Sequence, residues 1–183
     1  FINCYKLVSV SVPENITYVG GDAFFNCYLL SSIEIPDCCT YIGSRAFYDC
    51  NKLSFVHLSE GVTSILPESF RSCDILPYIK FPDNLKLIDN NCFRDCKKLN
   101  NITFPKTLNA IENTAFYNCL SLQSIVIPFN VTTITSYCFG YCRALTSIII
   151  EKGCKIIERN AFEYCNSFTS IEIPESVSII HQF

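Results

Sequence analysis

Charge is scarce in this sequence, and no stretch of it is basic. Lys, Arg, Asp and Glu together make up 17% of the 183 residues, and the formal net charge is −3. Because binding to phosphates needs clustered Lys and Arg, this composition excludes nucleic acid as the main partner. No uninterrupted apolar run is long enough to span a bilayer, so we expect no membrane insertion by this segment. The surface that remains suits contacts with proteins or glycans.

The residues that most catalytic and metal sites need are also few. His57 and His181 are the only histidines, and the sequence contains no Cys-x-x-Cys motif and no phosphate-binding glycine loop. Zinc requires four converging nitrogen or sulfur ligands, and a nucleophilic cysteine requires a neighbouring base. The sequence therefore predicts no catalytic residues, no metal site and no cofactor.

What the sequence has instead is a strict period of 23 residues. Cysteine recurs at this interval, at Cys4, Cys27, Cys50, Cys73, Cys96, Cys119, Cys142 and Cys165. Phenylalanine stands three residues before each cysteine, at Phe1, Phe24, Phe47, Phe70, Phe93, Phe116, Phe139 and Phe162. A period of this length indicates stacked copies of one small unit. We therefore expect residues 1–183 to be a single domain of eight 23-residue repeats. Methionine is absent even at position 1, so we expect this domain to be an internal fragment of a longer array.

We call the eight recurring cysteines the anchor cysteines and count the positions of each repeat from them. Positions six and eight are apolar in every repeat and alternate with mostly polar residues, which is typical of a short half-buried strand. Position nine is mostly proline, which ends a strand because it has no N–H. Positions twelve and fifteen are apolar and suit a tight irregular or 3₁₀ return. The segment before the cysteine, such as Gly43-Ser44-Arg45-Ala46-Phe47, reads as one or two helical turns.

This frame resembles the leucine-rich repeat, in its BspA-like subclass. The resemblance is carried by residues 115–128, AFYNCLSLQSIVIP, followed by Val131 and Ile134, and it recurs along the whole chain. It implies an α/β fold: a curved, horseshoe-type solenoid with a parallel sheet on its concave face. Short helical or 3₁₀ turns and loops are then expected on the convex side. The resemblance also suggests surface proteins of bacteria and protists that bind host proteins or other cells.

Thirteen cysteines raise the question of disulfides or metal, but their positions favour packing. Eight are anchors, Cys92 and Cys138 take the small-residue position four before an anchor, and Cys39 and Cys154 take position twelve. Equivalent side chains in stacked repeats point the same way rather than at each other, which disfavours disulfides. We therefore expect buried free thiols that behave as small apolar residues. Cys38 is the exception, because it lies outside the predicted core.

Positions five and seven alternate with the core positions, so their side chains should project from the concave face. Most of them are small and polar. Two groups differ, and they are our candidate ligand-binding residues: an aromatic–basic patch of Phe55, His57, Tyr78 and Lys80, and an apolar pair of Val126 and Ile149. Exposed aromatic and apolar residues are enriched at interfaces. The alternative is that Phe55 and Tyr78 stack on each other and only stabilise the sheet.

Three Asn-x-Ser/Thr triplets are candidate glycosylation sites in a secreted protein, at Asn15, Asn101 and Asn130. Asn15 and Asn130 share a position in the loop after the strand. Asn101 belongs to the concave face, where a glycan would obstruct a partner.

The functional hypothesis is a non-enzymatic protein-binding module at the cell surface or outside the cell, which mediates adhesion to host or other cell proteins through its concave face. The competing hypothesis is an intracellular, cytoplasmic structural scaffold or assembly subunit that binds through its edges and convex face. Free thiols favour the second, because they persist in reducing compartments. The family resemblance favours the first.

Overall fold

Two short strand segments recur along the chain, one on each side of the proline at position nine. The structure is a computed structural model that describes residues 1–182. The longer segments form what we call the first sheet, and they are β2 (Ser32–Glu34), β4 (Phe55–His57), β8 (Ser124–Ile127) and β10 (Ser147–Ile150). The two-residue segments form the second sheet, and they are β1 (Tyr18–Val19), β3 (Tyr41–Ile42), β5 (Ser64–Ile65), β6 (Leu87–Ile88), β7 (Ala110–Ile111), β9 (Thr133–Ile134), β11 (Ile156–Ile157) and β12 (Ile179–Ile180).

Every strand pairs in parallel with its equivalent in a neighbouring repeat. Ile33 lies opposite Val56 between β2 and β4, and Ile125 lies opposite Ile148 between β8 and β10. Each partner is one period away, because only that register places apolar positions on the same side of both strands. The predicted solenoid of parallel, stacked coils is therefore confirmed.

The second sheet was not anticipated by the sequence analysis, which predicted an irregular or 3₁₀ return. Its strands run in the order β1-β3-β5-β6-β7 and β9-β11-β12, all parallel. Position fifteen supplies its buried residue, as Ile42, Ile65 and Ile88 illustrate. The core thus lies between two parallel sheets and the turn that joins each coil to the next.

The expected helical turns are wrong, and with them the α/β class, because residues 1–182 contain no helix. The segment before each anchor cysteine is a chain of tight turns. Within it, alternate N–H groups donate along the solenoid rather than along the segment: Phe24 N–H donates to Ala46 O at 2.8 Å, whereas Phe25 N–H donates back to Asp22 O at 3.1 Å. Two positions of the repeat have a left-handed backbone: the residue directly before the anchor cysteine and the residue five positions before it. These residues prevent a continuous helix. At the second position they are Asp22, Arg45, Glu68, Asn91, Thr114, Tyr137 and Asn160.

The core is a column of phenylalanine rings beside a column of thiols. Successive rings from Phe1 to Phe162 are nearly parallel, with centroids 5.2–5.8 Å apart. Phe47, Phe93 and Phe139 are fully buried. Burial of each such ring contributes about 1.5–3 kcal/mol, and stacking adds about 0.5–1.5 kcal/mol per pair.

Each anchor cysteine from the second repeat onward also ties its coil to the preceding one. The thiol of Cys50 donates to the backbone oxygen of Phe24 at 3.2 Å, and that of Cys96 donates to Phe70 O at 3.1 Å. The same contact is made by Cys27, Cys73, Cys119, Cys142 and Cys165. All thirteen cysteines are free, and eleven are buried, which confirms the packing interpretation.

Candidate binding face

Positions five and seven project from the first sheet and form what we call the strand face. The burial of β4 and β8 alternates strictly between exposed and buried side chains. As a result, every residue at these positions is exposed except Ser32, which is half-buried. The six predicted ligand-binding residues all lie on this face and all are exposed: Phe55, His57, Tyr78, Lys80, Val126 and Ile149.

Phe55 and Tyr78 dominate the aromatic–basic patch, and each is 51% exposed. Stacked pairs such as Tyr18–Tyr41, with centroids 4.8 Å apart, show that equivalent aromatic residues can stack in this fold. Phe55 and Tyr78 form no such pair in the part of the chain that the structure describes. The two rings therefore do not cover each other's faces, contrary to the alternative that they stack and only stabilise the sheet.

Pro77 gives a physical reason for the separation of these two rings. Residues at the equivalent position of neighbouring repeats are joined by backbone hydrogen bonds: Ser54 N–H donates to Ser31 O at 2.9 Å, and Asn100 N–H donates to Pro77 O at 3.1 Å. Proline has no N–H, so the Ser54 carbonyl loses the equivalent donor. The first sheet is interrupted at this interval and resumes where Tyr78 bridges Asn101.

The basic members of the patch differ in their contacts. The ammonium of Lys80 lies 3.1 Å from a carboxylate oxygen of Glu60, and this hydrogen bond raises the pKa of Lys80. The pKa of Glu60 is lowered, first by the backbone N–H of Asp83 at 3.0 Å and then by Lys80. Both side chains are exposed, so the pair restrains the Lys80 side chain without stabilising the fold substantially.

The second predicted group, Val126 and Ile149, is extended by a residue that sequence reasoning missed. Val126 and Ile149 lie opposite each other on β8 and β10 and are 45% and 58% exposed. Phe129, which is 60% exposed, lines one groove with Val126 and a second groove with Ile149. Its signal in the sequence is at position ten, where the other seven repeats carry a charged residue.

The candidate glycosylation sites occupy two different surroundings. Asn15 and Asn130 are exposed in the loop after the strand position, and the side-chain nitrogen of Asn130 donates to Lys106 O at 2.8 Å. Asn101 is exposed on the strand face, between its bridge partners Tyr78 and Ser124.

The thiols do not form a reactive centre. Burial raises the pKa of Cys50 and Cys165 to about 12 and raises those of Cys73 and Cys119 well above the ordinary value. Such thiols stay protonated at neutral pH and are poor nucleophiles. Among residues 1–182 no three His, Cys, Asp or Glu side chains converge as metal ligands, and no helix is long and apolar enough to cross a membrane.

Cys38 is exposed, and its hydrogen bonds to the preceding repeat give it a structural role. Its thiol donates to Glu14 O at 2.6 Å and to Ile16 O at 3.1 Å in the preceding repeat. Asn84 and Asn130 stand at the same position, and their side-chain nitrogens also donate to a backbone oxygen of the preceding repeat. Cys38 thus replaces an amide as an inter-repeat donor.

Solved structures that resemble this one include several leucine-rich repeat proteins and a vaccine antigen. A T. pallidum leucine-rich repeat protein is 27% identical with a TM-score of 0.80, over 88% of this chain and 78% of that one. A leucine-rich cell surface protein from Faecalibacterium prausnitzii is 24% identical with a TM-score of 0.61, over 98% of this chain and 60% of that one. Pneumococcal vaccine antigen PcpA is 19% identical with a TM-score of 0.51, over 94% and 58%. A search of curated protein sequences gives no match.

The sequence pattern also matches a family model directly. The model for the BspA type leucine rich repeat region (6 copies) matches residues 1–96 and 63–183, which together span the chain. With the stacked parallel coils and the phenylalanine and cysteine columns, this match places the chain in the BspA-type leucine-rich repeat family.

Proposed function

We propose that this chain is a non-enzymatic module that holds a protein partner on its strand face, with Phe55 and Tyr78 as the main anchors. The observation that carries the proposal is the pair of exposed, unstacked aromatic rings on a face that is otherwise mostly small and polar. Aromatic side chains at the centre of an interface supply a large share of binding energy. Residues 1–183 act here as one array of eight repeats, and in the family's horseshoe form this face is concave.

The fold supports binding because it fixes the strand face before a partner arrives. Each exposed position lies between two buried ones whose side chains pack into the core, as Phe55 and His57 do around Val56. A face that is already ordered loses little conformational entropy on association. Tyr78 and Lys80 flank Ile79 in the same way, so the patch presents two rings and two basic groups from adjacent repeats.

We also infer a location at the cell surface and a role in adhesion to host or other cell proteins. Support comes from relatives: one protein of the same fold is named a cell surface protein and another a vaccine antigen. In that setting Asn101 stays unmodified in the binding-competent protein, since a glycan there would cover the site beside Tyr78.

The competing function, an intracellular scaffold that uses its edges and convex face, has one observation in its favour. All thirteen cysteines are free, and free thiols persist most readily in reducing compartments. Their burial weakens this argument, because eleven of them are shielded from oxidants in any compartment.

The test is affinity capture with the immobilised chain, identification of the captured protein, and binding measurements with that protein once purified. Phe55→Ser with Tyr78→Ser should weaken binding by roughly 30-fold or more, since two hot-spot residues contribute at least about 2 kcal/mol together. The matched control is Tyr18→Ser with Tyr41→Ser, an exposed aromatic pair on the second sheet.

The control should bind like the unmodified chain, and the strand-face double variant should melt within a few degrees of it. Equal binding by the Phe55/Tyr78 variant would remove this patch from consideration. Loss of binding only in the Tyr18/Tyr41 variant would favour the scaffold function instead.

A further inference from the structure

Position two carries a row of exposed side chains, which we call the lysine row, that alternates between lysine and a large aliphatic residue. In chain order its members are Lys6, Leu29, Lys52, Ile75 and Lys98. Successive lysines are two repeats apart in the sequence, so only the stacking of the coils brings them into one line. The lysine row is a local concentration of positive charge in a chain whose net charge is −3.

The backbone under the lysine row is fixed by hydrogen bonds between repeats. Lys52 N–H donates to Tyr28 O at 3.2 Å, and Lys98 N–H donates to Asp74 O at 3.1 Å. Leu99, directly after Lys98, is fully buried. The row is therefore ordered before a ligand arrives, which lowers the entropic cost of binding.

The charge of the lysine row is not neutralised within the protein. None of its three lysines forms a salt bridge within residues 1–182. On one side, at position one, the carboxylate of Asp74 is held by Lys97 at 3.0 Å. Beyond it, at the turn, Asp49 and Asp95 are half-buried, and Asp95 is paired with Arg94. On the other side, position four carries no charged residue in any repeat.

A shallow groove continues the row along the solenoid, between the side chains of positions two and four. It is lined by Ile75 and Pro77 in the fourth repeat and by Leu120 and Ala144 in the sixth and seventh, with Lys98 between them. Lys98 is the only charged residue that lines it. Apolar walls beside one lysine suit a ligand that has both apolar groups and a negative charge, and the groove directs that ligand along the solenoid axis.

The spacing of the row selects the kind of ligand. The rings of Tyr5 and Tyr28, at position one, stack 5.2 Å apart, and parallel strands have a similar spacing, so successive lysines are about 10 Å apart. In an α-helix, residues seven apart share a face and are about 10.5 Å apart along the axis, with residues three or four apart midway. In an extended chain, side chains on one face recur about every 7 Å, which does not match.

Other anionic ligands fit the lysine row less well. Anionic membranes are bound by clusters of about four to eight Lys or Arg, and the row has three lysines. A sulfated glycan offers no large apolar group to cover Leu29 and Ile75, which are 43% and 37% exposed. A helix offers both kinds of group, because acidic and apolar side chains can alternate along one face.

We propose that the lysine row and its groove bind an amphipathic α-helix of a protein partner that carries an acidic residue at every seventh position. The acidic residues face Lys6, Lys52 and Lys98. Apolar residues three or four positions after each acid pack against Leu29 and Ile75. This is the helix-in-groove mode of recognition. No residue of the strand face takes part, so the site goes beyond the proposed function and can stand or fail without it.

The test uses three blocked peptides of three heptads each, all of which circular dichroism must show to be helical. The first has glutamate at position one and leucine at position four of each heptad, glutamine at positions three and seven, and alanine elsewhere. The second exchanges each glutamate with the glutamine at position three, which moves the charge to the opposite face at constant composition. The third replaces each glutamate by glutamine.

Binding of each peptide to the whole chain is measured by NMR titration up to millimolar peptide. The first peptide should bind at least about 5-fold more tightly than either of the others, since each exposed ion pair adds a small factor and three act together. Its affinity should fall with added salt, because the attracting charges are exposed.

Variants of the protein locate the site. Lys52→Gln with Lys98→Gln should weaken the first peptide at least about 5-fold, whereas Lys52→Arg with Lys98→Arg should retain it because the charge is kept. The matched control is Lys106→Gln with Lys152→Gln, which removes two exposed lysines at position ten and should leave the affinity unchanged. All replaced side chains are exposed, and unchanged melting confirms that the fold is intact.

Absence of binding at millimolar peptide, equal binding of the exchanged peptide, or full binding by Lys52→Gln with Lys98→Gln would each overturn the inference. Binding of the chain to phosphatidylserine-containing vesicles but not to the peptides would assign the row to a lipid surface and overturn it as well.

The proposed function is tested separately by Phe55→Ser with Tyr78→Ser, which should bind the first peptide like the unmodified chain. If the peptides fail while this variant loses the captured partner, the proposed function stands without the lysine row. If the peptide result holds while this variant keeps its partner, the lysine row stands and the aromatic–basic patch does not.

Discussion

Alkaline pH should unfold this protein because of its buried thiols. Burial raises the pKa of ten of them, and the shift is large in eight, to about 12 in two and well above the ordinary value in the others; the eight are Cys50, Cys73, Cys92, Cys96, Cys119, Cys138, Cys142 and Cys165. In the unfolded chain each has an ordinary pKa of about 8.5. Between these values the unfolded state loses protons that the folded state keeps, so the free energy of unfolding falls as pH rises.

The expected size of the effect follows from the number of thiols. Ionisation in the unfolded state lowers the free energy of unfolding by about 1 kcal/mol or slightly less per thiol at pH 9, and almost nothing at pH 7. Eight thiols together give about 7 kcal/mol, which is comparable to the whole stability of a typical domain, about 5–15 kcal/mol. The contribution is fully present well below the unfolded pKa of about 8.5 and is lost progressively as the pH rises towards the folded pKa values.

The assay is urea unfolding at pH 7, 8 and 9 with a non-thiol reductant. A matched variant is Cys92→Ala with Cys138→Ala, because alanine already occupies this position at Ala46, Ala115 and Ala161. It removes two of the eight thiols, so the loss of stability between pH 7 and pH 9 should shrink by about a quarter. A free energy of unfolding that stays constant within about 1 kcal/mol across this range would refute the reasoning, as would an unchanged slope in the variant.

Three further predictions concern packing. Phe93→Ala, in the middle of the ring column, should lower the free energy of unfolding by about 3–5 kcal/mol, whereas Phe162→Ala at its half-buried end should cost clearly less; equal losses in urea unfolding would contradict stacking as the source of stability. Gly153→Ala should lower the free energy of unfolding by at least about 1–3 kcal/mol, because the added Cβ meets the backbone of Phe129. Gly20→Ala should lower it less in the same measurement, because there the added Cβ meets only the exposed Tyr18 ring, at 3.3 Å. Iodoacetamide should label Cys38 first in the native protein, as peptide mapping would reveal; comparable labelling of Cys96 would show that the core is open.

Much of the fold could be predicted because one pattern recurs eight times. Phenylalanine and cysteine recur in every repeat at the positions that Phe47 and Cys50 occupy. This recurrence requires equivalent surroundings for each copy, and only parallel stacking provides them. The same logic placed Phe55, Tyr78, Val126 and Ile149 outside the core, since a strand alternates its side chains between two faces.

Other features depend on partners that lie one repeat away, and these the sequence analysis missed. The segment around Phe24 was predicted to form helical turns, but alternate N–H groups find acceptors in the next coil, so tight turns replace the helix. The second sheet consists of two-residue strands, which are too short to show a periodic signal. Phe129 was overlooked because position ten lies in a loop, where alternation does not apply.

The amino-acid order alone thus determined the repeat, its parallel register and the division into core and surface, because these depend on where apolar side chains recur. Only the tertiary structure decided which backbone groups bond across coils, where Pro77 interrupts the first sheet, and which exposed residues meet. Those outcomes depend on hydrogen bonds and steric contacts between residues 22 to 26 positions apart, such as that between Gly153 and Phe129, and no local pattern encodes them.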